Sequence, residues 1–416
     1  MSSEHNNQKN VYDLLKERGF VSQATDEERI RSELAVPGVN FYIGFDPTAD
    51  SLHVGHLLLM LAAHHLQIAG HNPFILLGGG TSVIGDPSGR TNLRKVIDKT
   101  VISHNISCLQ KQLGNLVSFE GKNAAKMINN ADWLLNVKWI EFLQKVGVHF
   151  SINKMLAAEV LKLRLKKGLL FSELSYMLMQ AYDFFYLFSK YGVNLQIGGS
   201  DQWFNIIAGI ELVRKICTQN VVGFTLNLLT NPDGTKMGKS AHGALWLEPQ
   251  KTSPYHFYQH WLNVDDSMVE KYLLLFTLVD VNRIKVLVRE NCGKNILRLK
   301  KRLAFAVTEI VHGKEQAVIV QNQSVATFQK NDVSAMYTFE IKLQDILSDF
   351  SLANVLVLTK QANSKTAARR LICSNGVVLN GQKIVDISFK LSDSIVKKGE
   401  FTLAKGKKNK MRVVIK

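Results

Sequence analysis

The sequence predicts an α/β protein: a parallel-sheet domain first, then a helical stretch, then a small α+β domain. Three observations carry this. In the first 240 residues a strand, a glycine-rich turn and a helix follow one another repeatedly. From about 255 to 335 apolar residues recur every three or four positions. After about 345 the chain is punctuated by a helix cap, a tight turn and a basic loop.

Taken in order, "VNFYIGF" (39–45) reads as a strand, followed by a turn and a helix from about 53. "NPFILLGGG" (72–80) is a strand running into glycines, and "VNLQIGGSDQW" (193–203) is another, with a helical pattern after it. In such sheets ligands lie outside the carboxyl ends of the strands, where these turns fall. In the helical stretch Ile296, Leu299, Leu303, Val307 and Ile310 form one stripe that Gly313 closes, with Arg298, Lys301 and Arg302 outside it. Near the end, "SKTAARRLICSNG" predicts a short helix with Ser364 as N-cap. "VVLNGQKI" predicts a hairpin turning at Asn380-Gly381, and "FTLAKGKKNKMRVVI" a strand, a basic loop and a strand.

The chain of 416 residues carries a formal net charge of +16, and its placement is uneven. Residues 341–416 hold 15 Lys/Arg against 5 Asp/Glu, and residues 281–310 hold 8 against 2, leaving the rest neutral. Two basic regions on a neutral body suit a polyanion such as nucleic acid, with a solvated charged face as the plain alternative for either alone. Four scattered cysteines without a C-x-x-C pair argue against a disulfide framework and a cysteine zinc site. The polar start "MSSEHNNQKN" is unlike a signal peptide, and no apolar run approaches the roughly 20 residues of a membrane helix. The expectation is a soluble, cytoplasmic protein with no protein-bound metal.

"FDPTADSLHVGHLLLM" (45–60) puts His53 and His56 around Val-Gly at the mouth of a helix, with Thr48 on the approach. Helix starts present free N–H groups to phosphate, Gly55 leaves room for a flat ring, and the imidazoles can donate to phosphate or ribose oxygens. A nucleoside triphosphate is the ligand this arrangement suits. "NPDGTKMGKS" (231–240) adds a loop whose Lys236 and Lys239 can close on a leaving pyrophosphate. Surface histidines and a solvated lysine turn are the alternatives for each motif taken alone. In "SELSYMLMQAYDFF" (172–185), Tyr176, Gln180 and Asp183 share one helix face, a polar lining for a small molecule rich in hydrogen-bonding groups.

Together, "YIGFDPTADSLHVGH", "GDPSG", "SYMLMQAYDF", "QIGGSDQW" and "KMGKS" resemble bacterial tyrosyl-tRNA synthetases, class I aminoacyl-tRNA synthetases, in order and approximate spacing. The resemblance continues through "KKRLAFAVTEIVHG" to an S4-like ending, "SKTAARRLICSNGVVLNGQKI". It implies a Rossmann-like catalytic domain at 1–245, an α-helical anticodon-region domain at 246–340 and an S4-like RNA-binding domain at 341–416. It implies activation of L-tyrosine by ATP with Mg2+, transfer to tRNA(Tyr), and a homodimer away from membranes. Tyr42 and Asp183 would meet the phenol, Asp86, Tyr176 and Gln180 the ammonium group, and Gln202 the carboxylate. Gly44, Asp46, Gly199 and Asp201 would hold ATP. Thr48 and His53 would stabilise its phosphates in the transition state, His56 would support nucleotide binding, and Arg90, Arg94, Lys236 and Lys239 would contact the departing pyrophosphate. Lys365, Arg369, Arg370, Lys405, Lys407 and Lys408 would contact RNA.

Three positions depart from the family pattern: Ile43 where Cys is common, Arg90 where Lys is common, and Gly238 in the lysine loop. Ile43 cannot bring a thiol to the ribose. Three rivals remain at this stage. A tryptophanyl synthetase shares both signatures, but Asp183 facing Tyr42 fits a phenol better than an indole. A nucleotidyltransferase leaves the basic C-terminal region unexplained. A non-catalytic RNA-binding relative is opposed by the intact Tyr42, His53, His56, Asp183, Lys236 and Lys239.

Overall fold

The computed structural model describes residues 9–88, 97–156, 165, 168–229, 244–291, 295–329, 336–406 and 409–416. The chain divides into two compact units, one of residues 1–236 and 270–286, the other of 237–269 and 287–416.

The first unit is built on a six-stranded sheet. Its strands are β1 (Val21–Ala24), β2 (Asn40–Phe45), β3 (Asn72–Leu77), β4 (Lys126–Asn129), β5 (Leu195–Gly199) and β6 (Val222–Leu226), in the order β1-β6-β5-β2-β3-β4. All neighbours are parallel except the edge pair β1–β6. The central strands read as continuous apolar runs because both faces are covered: Phe41, Tyr42 and Ile43 are all buried. Helices Val54–Ile68, Phe171–Tyr191 and Trp203–Cys217 supply the cover, the last two packed on each other. The predicted strands at 39–45, 72–80 and 193–203 and the helix from 53 are therefore present.

A buried cation ties a later segment to this unit. Arg18, at the end of helix Val11–Glu17, donates to the carbonyls of Leu274 (2.7 Å), Thr277 (2.9 Å) and Val279 (2.5 Å). These carbonyls terminate helix Val269–Phe276, whose last C=O groups lack intrahelical partners.

In the second unit, helix Pro254–Leu262 packs against Ile296–His312 and Lys314–Gln329. Leu299, Leu303 and Val307 are buried as the stripe predicts, Arg298 and Arg302 are exposed, and Gly313 forms the C-cap. Lys300 instead lies buried and pairs with Asp266. The unit also holds a five-stranded sheet in the order β7-β11-β10-β8-β9, with β7 (Thr338–Ile341), β8 (Val377–Leu379), β9 (Gln382–Ile384), β10 (Glu400–Lys405) and β11 (Asn409–Ile415). Ser364 caps helix Lys365–Cys373 through the Ala367 N–H. Asn380 and Gly381 turn the β8–β9 hairpin with φ of 48° and 83°, the positive values a type I′ turn requires.

Candidate active site

The strand order reverses direction at β2. The chain moves from β2 to β3 and β4 on one side, and β5 and β6 lie on the other. Carboxyl ends that diverge in this way leave a crevice between β2 and β5. Tyr42 and Gly44 end β2, with Asp46, Thr48, His53 and His56 following it, and Gly199, Asp201 and Gln202 close β5. Helix Phe171–Tyr191 brings Tyr176, Gln180 and Asp183, and Asp86 follows β3. The topology thus gathers thirteen residues named from the sequence.

Deep in this region Tyr42 and Asp183 are each 1% exposed. Tyr42 Oη has no hydrogen-bond partner among the described residues, and its ring meets Phe184 edge-on at 5.3 Å. Burial, reinforced by the Asp183 charge, pushes its phenol well above the usual range. Asp183 accepts from Asn130 Nδ2 at 2.9 Å and Trp133 Nε1 at 2.8 Å. Burial pushes its carboxyl up to about 8, opposed by these two donors and aided by the Asp46 charge.

Asn130 also donates to Thr81 Oγ1 (3.1 Å) and accepts from the Gly80 N–H (2.8 Å). Thr81 donates to Asp46 Oδ1 (2.9 Å), and Tyr176 Oη to Asp46 Oδ2 (3.0 Å). Tyr176, Asp46, Thr81, Asn130, Asp183 and Trp133 thus form one connected network. Gly78 makes room for it, since a Cβ there would lie 2.1 Å from Asp46 Oδ1. Asn130, Trp133 and Thr81 went unread in the sequence; a Trp beside Asn in "NNADWLL" was the available signal.

A second network lines the β5 side. Asp86 accepts from the Ser88 N–H at 2.8 Å and from Gln202 Nε2 at 2.7 Å. Asn205 Nδ2 lies 3.0 Å from Gln202 Oε1 and 3.0 Å from Gln180 Oε1, with Ser88 Oγ at 3.5 Å. Asn205 is buried, and the sequence reading did not single it out.

The histidines answer a local need as well as a ligand. His53 is the N-cap of helix Val54–Ile68, and its Nδ1 accepts from the Gly55 N–H at 3.1 Å. His56 Nδ1 accepts from the His53 N–H at 3.2 Å, and the rings stack at 3.8 Å. An Nδ1 that accepts leaves the proton on Nε2, so both imidazoles are neutral here and present an N–H donor on the far side of the ring. Burial, then the neighbouring His53, hold His56 well below the usual histidine range. The structure gives Gly55 a steric role of its own: a Cβ would sit 2.9 Å from His53 Cε1. Ile43 is fully buried in the sheet.

Arg90, Arg94, Lys236, Gly238, Lys239, Lys407 and Lys408 lie outside the described residues. The remaining basic candidates belong to the second unit. Arg369 and Arg370 are exposed on helix Lys365–Cys373, Lys365 pairs with Asp349 at 2.6 Å, and Lys405 Nζ donates to the Gln361 carbonyl at 2.9 Å.

Residues 37–329 match the family described as tRNA synthetases class I (W and Y). The chain belongs to that family of aminoacyl-tRNA synthetases, and its largely parallel sheet is consistent with the class I fold. Residues 333–413 match the tyrosine–tRNA ligase SYY-like C-terminal domain. The chain is 53% identical over 409 residues to the tyrosine–tRNA ligase of Malacoplasma penetrans, covering 98% of this chain and 99% of that one. It is 48% identical to the tyrosine–tRNA ligase of Clostridium kluyveri, covering 98% and 100%. A C-terminally truncated mitochondrial tyrosyl-tRNA synthetase from Aspergillus nidulans superposes with a TM-score of 0.70 at 29% identity, covering 78% of this chain and 95% of that one.

Proposed function

We infer that the crevice holds tyrosine at its Tyr42–Asp183 end and ATP across the start of helix Val54–Ile68. The enzyme is a tyrosine–tRNA ligase: it activates tyrosine with ATP and charges tRNA. The single observation that carries the placement is the buried Tyr42 hydroxyl without a protein partner, beside a carboxylate already oriented by Asn130 and Trp133. A substrate phenol would accept from Tyr42 and donate to Asp183.

In the first step a carboxylate oxygen of tyrosine attacks the α-phosphorus of ATP, the bond to the β-phosphate oxygen breaks, and pyrophosphate leaves. In the second, a hydroxyl of the terminal tRNA ribose attacks the tyrosyl carbonyl, loses its proton, and AMP departs. The attacking carboxylate is already an anion, so positioning and charge stabilisation supply the catalysis. Asp86, Tyr176 and Gln180 are proposed for the ammonium group and Gln202 for the carboxylate. Gly44, Asp46, Gly199 and Asp201 are proposed for the nucleotide. Thr48 and the Nε2–H donors of His53 and His56 would meet the phosphates, with Arg90, Arg94, Lys236 and Lys239 on the pyrophosphate. Mg2+ is proposed to arrive on the ATP phosphates; the carboxylates of Asp46 and Asp86 in the crevice are already engaged by Tyr176, Thr81, Ser88 and Gln202.

The partner proposed for the second unit is tRNA(Tyr), met by Lys365, Arg369, Arg370, Lys405, Lys407 and Lys408. The functional division proposed is 1–245 for activation, 246–340 for the anticodon region and 341–416 for RNA binding. A homodimer is proposed on the apolar surface of Leu135, Trp139, Ile140, Val148, Ile152 and Phe171, each at least 55% exposed. A cytoplasmic setting is part of the same proposal; among the described residues no helix is long and apolar enough to cross a membrane. Pyrophosphate exchange measured with each of the amino acids in turn tests the assignment. Exchange with tyrosine alone is expected, and exchange with tryptophan in its place would overturn it.

A further inference from the structure

We propose that Asn205 is a positioning residue that orients the amide groups of Gln180 and Gln202 toward the amino-acid substrate. This rests on the placement of tyrosine in the crevice. One chain of hydrogen bonds links Asp86, Gln202, Asn205 and Gln180. An ionised carboxylate only accepts, so the group 2.7 Å from Asp86 Oδ2 has to be the Gln202 amide nitrogen. That fixes Gln202 Oε1 on the opposite side, where it needs a donor. Asn205 Nδ2, at 3.0 Å, is that donor, so its own amide is fixed in turn. An amide nitrogen carries two hydrogens. The second reaches Gln180 Oε1, also at 3.0 Å, and so turns the Gln180 nitrogen away from Asn205. One acidic residue thus sets the direction of three amides, and Asn205 is the only link between the two glutamines among the described residues. Those glutamines stand on different helical elements, Phe171–Tyr191 and Ser200–Gln202, and no backbone hydrogen bond joins the elements. Asn205 is 4% exposed, so water cannot readily replace it.

Without Asn205 the Gln180 amide is free to rotate while Gln202 keeps its bond to Asp86, and a rotated Gln180 amide offers N–H where the ammonium group of the substrate needs an acceptor. The loss should therefore fall on tyrosine binding. The test is tyrosine-dependent pyrophosphate exchange by the full-length enzyme, comparing wild type with Asn205→Leu and Asn205→Ala. Both should raise the KM for tyrosine about tenfold, the usual effect of removing a buried hydrogen-bond donor. The KM for ATP and kcat should stay within about threefold. A merely structural role is separated by a cycle: in a Gln180→Ala background, Asn205→Leu should add less than about twofold to the tyrosine KM, because the amide that Asn205 alone fixes is gone and Gln202 is still held by Asp86. An unchanged tyrosine KM in both variants, equal rises for tyrosine and ATP, or full additivity in the cycle would each overturn the proposal. Should Asn205→Leu fail to fold, Asn205→Ala gives the same reading with less volume. A wild-type enzyme without tyrosine exchange would instead overturn the underlying placement of tyrosine.

Discussion

The crevice and the surface of helix Lys365–Cys373 are both polar, and they are polar in opposite ways. In the crevice two side-chain networks, Asp183 with Asn130 and Asp86 with Gln202 and Asn205, satisfy polar groups that, Gln202 apart, are buried from bulk water. On the helix, Arg369 and Arg370 are exposed and form no ion pair among the described residues, while Lys365 is held by Asp349. A buried polar group without a partner is expensive, so the first region can reject a molecule for one missing hydroxyl. An exposed cation is hydrated and screened by salt, so the second responds to how many phosphates approach and little to their identity. On the proposed assignment, selectivity for the amino acid and affinity for RNA reside in separate parts of the chain.

The largest expected effect breaks the selectivity of the crevice. Tyrosine should be preferred to phenylalanine by about 10⁵-fold, a magnitude measured on tyrosine-specific synthetases themselves and taken over from them. Tyr42→Phe should lower that preference by about 10- to 100-fold, read as the ratio of kcat/KM values in pyrophosphate exchange. An unchanged ratio would remove Tyr42 from the phenol site. Next in size, Lys236→Ala or Lys239→Ala should slow adenylate formation about 10²- to 10³-fold while tyrosine binding holds, because their charge acts on the leaving pyrophosphate. Single-turnover rates and equilibrium binding on the same preparation check this; weaker tyrosine binding at a normal rate would refute it.

The surface should answer differently. Arg369→Ala and Arg370→Ala should each flatten the logarithmic salt dependence of tRNA binding by about 0.7–0.9 and leave tyrosine-dependent exchange unchanged. A slope equal to wild type would mean that these arginines do not reach phosphate.

The smallest effect concerns acidity, and it sharpens the contrast between buried groups. Burial lowers His65 to about 3 and His260 and His312 to about 4, against an unfolded value near 6.5. Their contribution to stability is present above about 6.5 and is lost as pH falls toward 4, since the unfolded chain then binds more protons. Asp183 has the opposite sign: raised to about 8, its contribution is complete near pH 4 and is lost as pH rises through 8. A chemical-denaturation series from pH 5 to 9 should show about 2 kcal/mol lost per histidine by pH 5 on the acid side. An Asp183→Asn variant should lack the decline on the alkaline side.

Much of this was legible in the sequence where local chemistry decides structure. Asn380-Gly381, Ser364 and Gly313 each do what their residue type dictates. The 3.6-residue periodicity groups Tyr176, Gln180 and Asp183 on one helix face, where Tyr176 and Asp183 are buried and Gln180 is half-buried. What escaped depends on partners far along the chain. β1 has four residues and earns its place only by pairing with β6, some 200 positions later. Asn130 and Trp133 gain meaning from Asp183, 50 and more residues on, and Asn205 from Asp86. The capping role of His53 and His56 was hidden for another reason: imidazole is an uncommon cap, so the pattern reads first as a ligand site.

Arg18 sets a limit on how this protein can be shortened. A fragment ending at 245, where the composition changes, would discard the three carbonyls on which its guanidinium rests. A stranded buried cation costs about 3–5 kcal/mol, a large part of the stability of an ordinary domain. The smallest self-sufficient activating fragment therefore ends beyond Val279, and a protease that clips between 237 and 269 should leave two pieces that stay together until denatured.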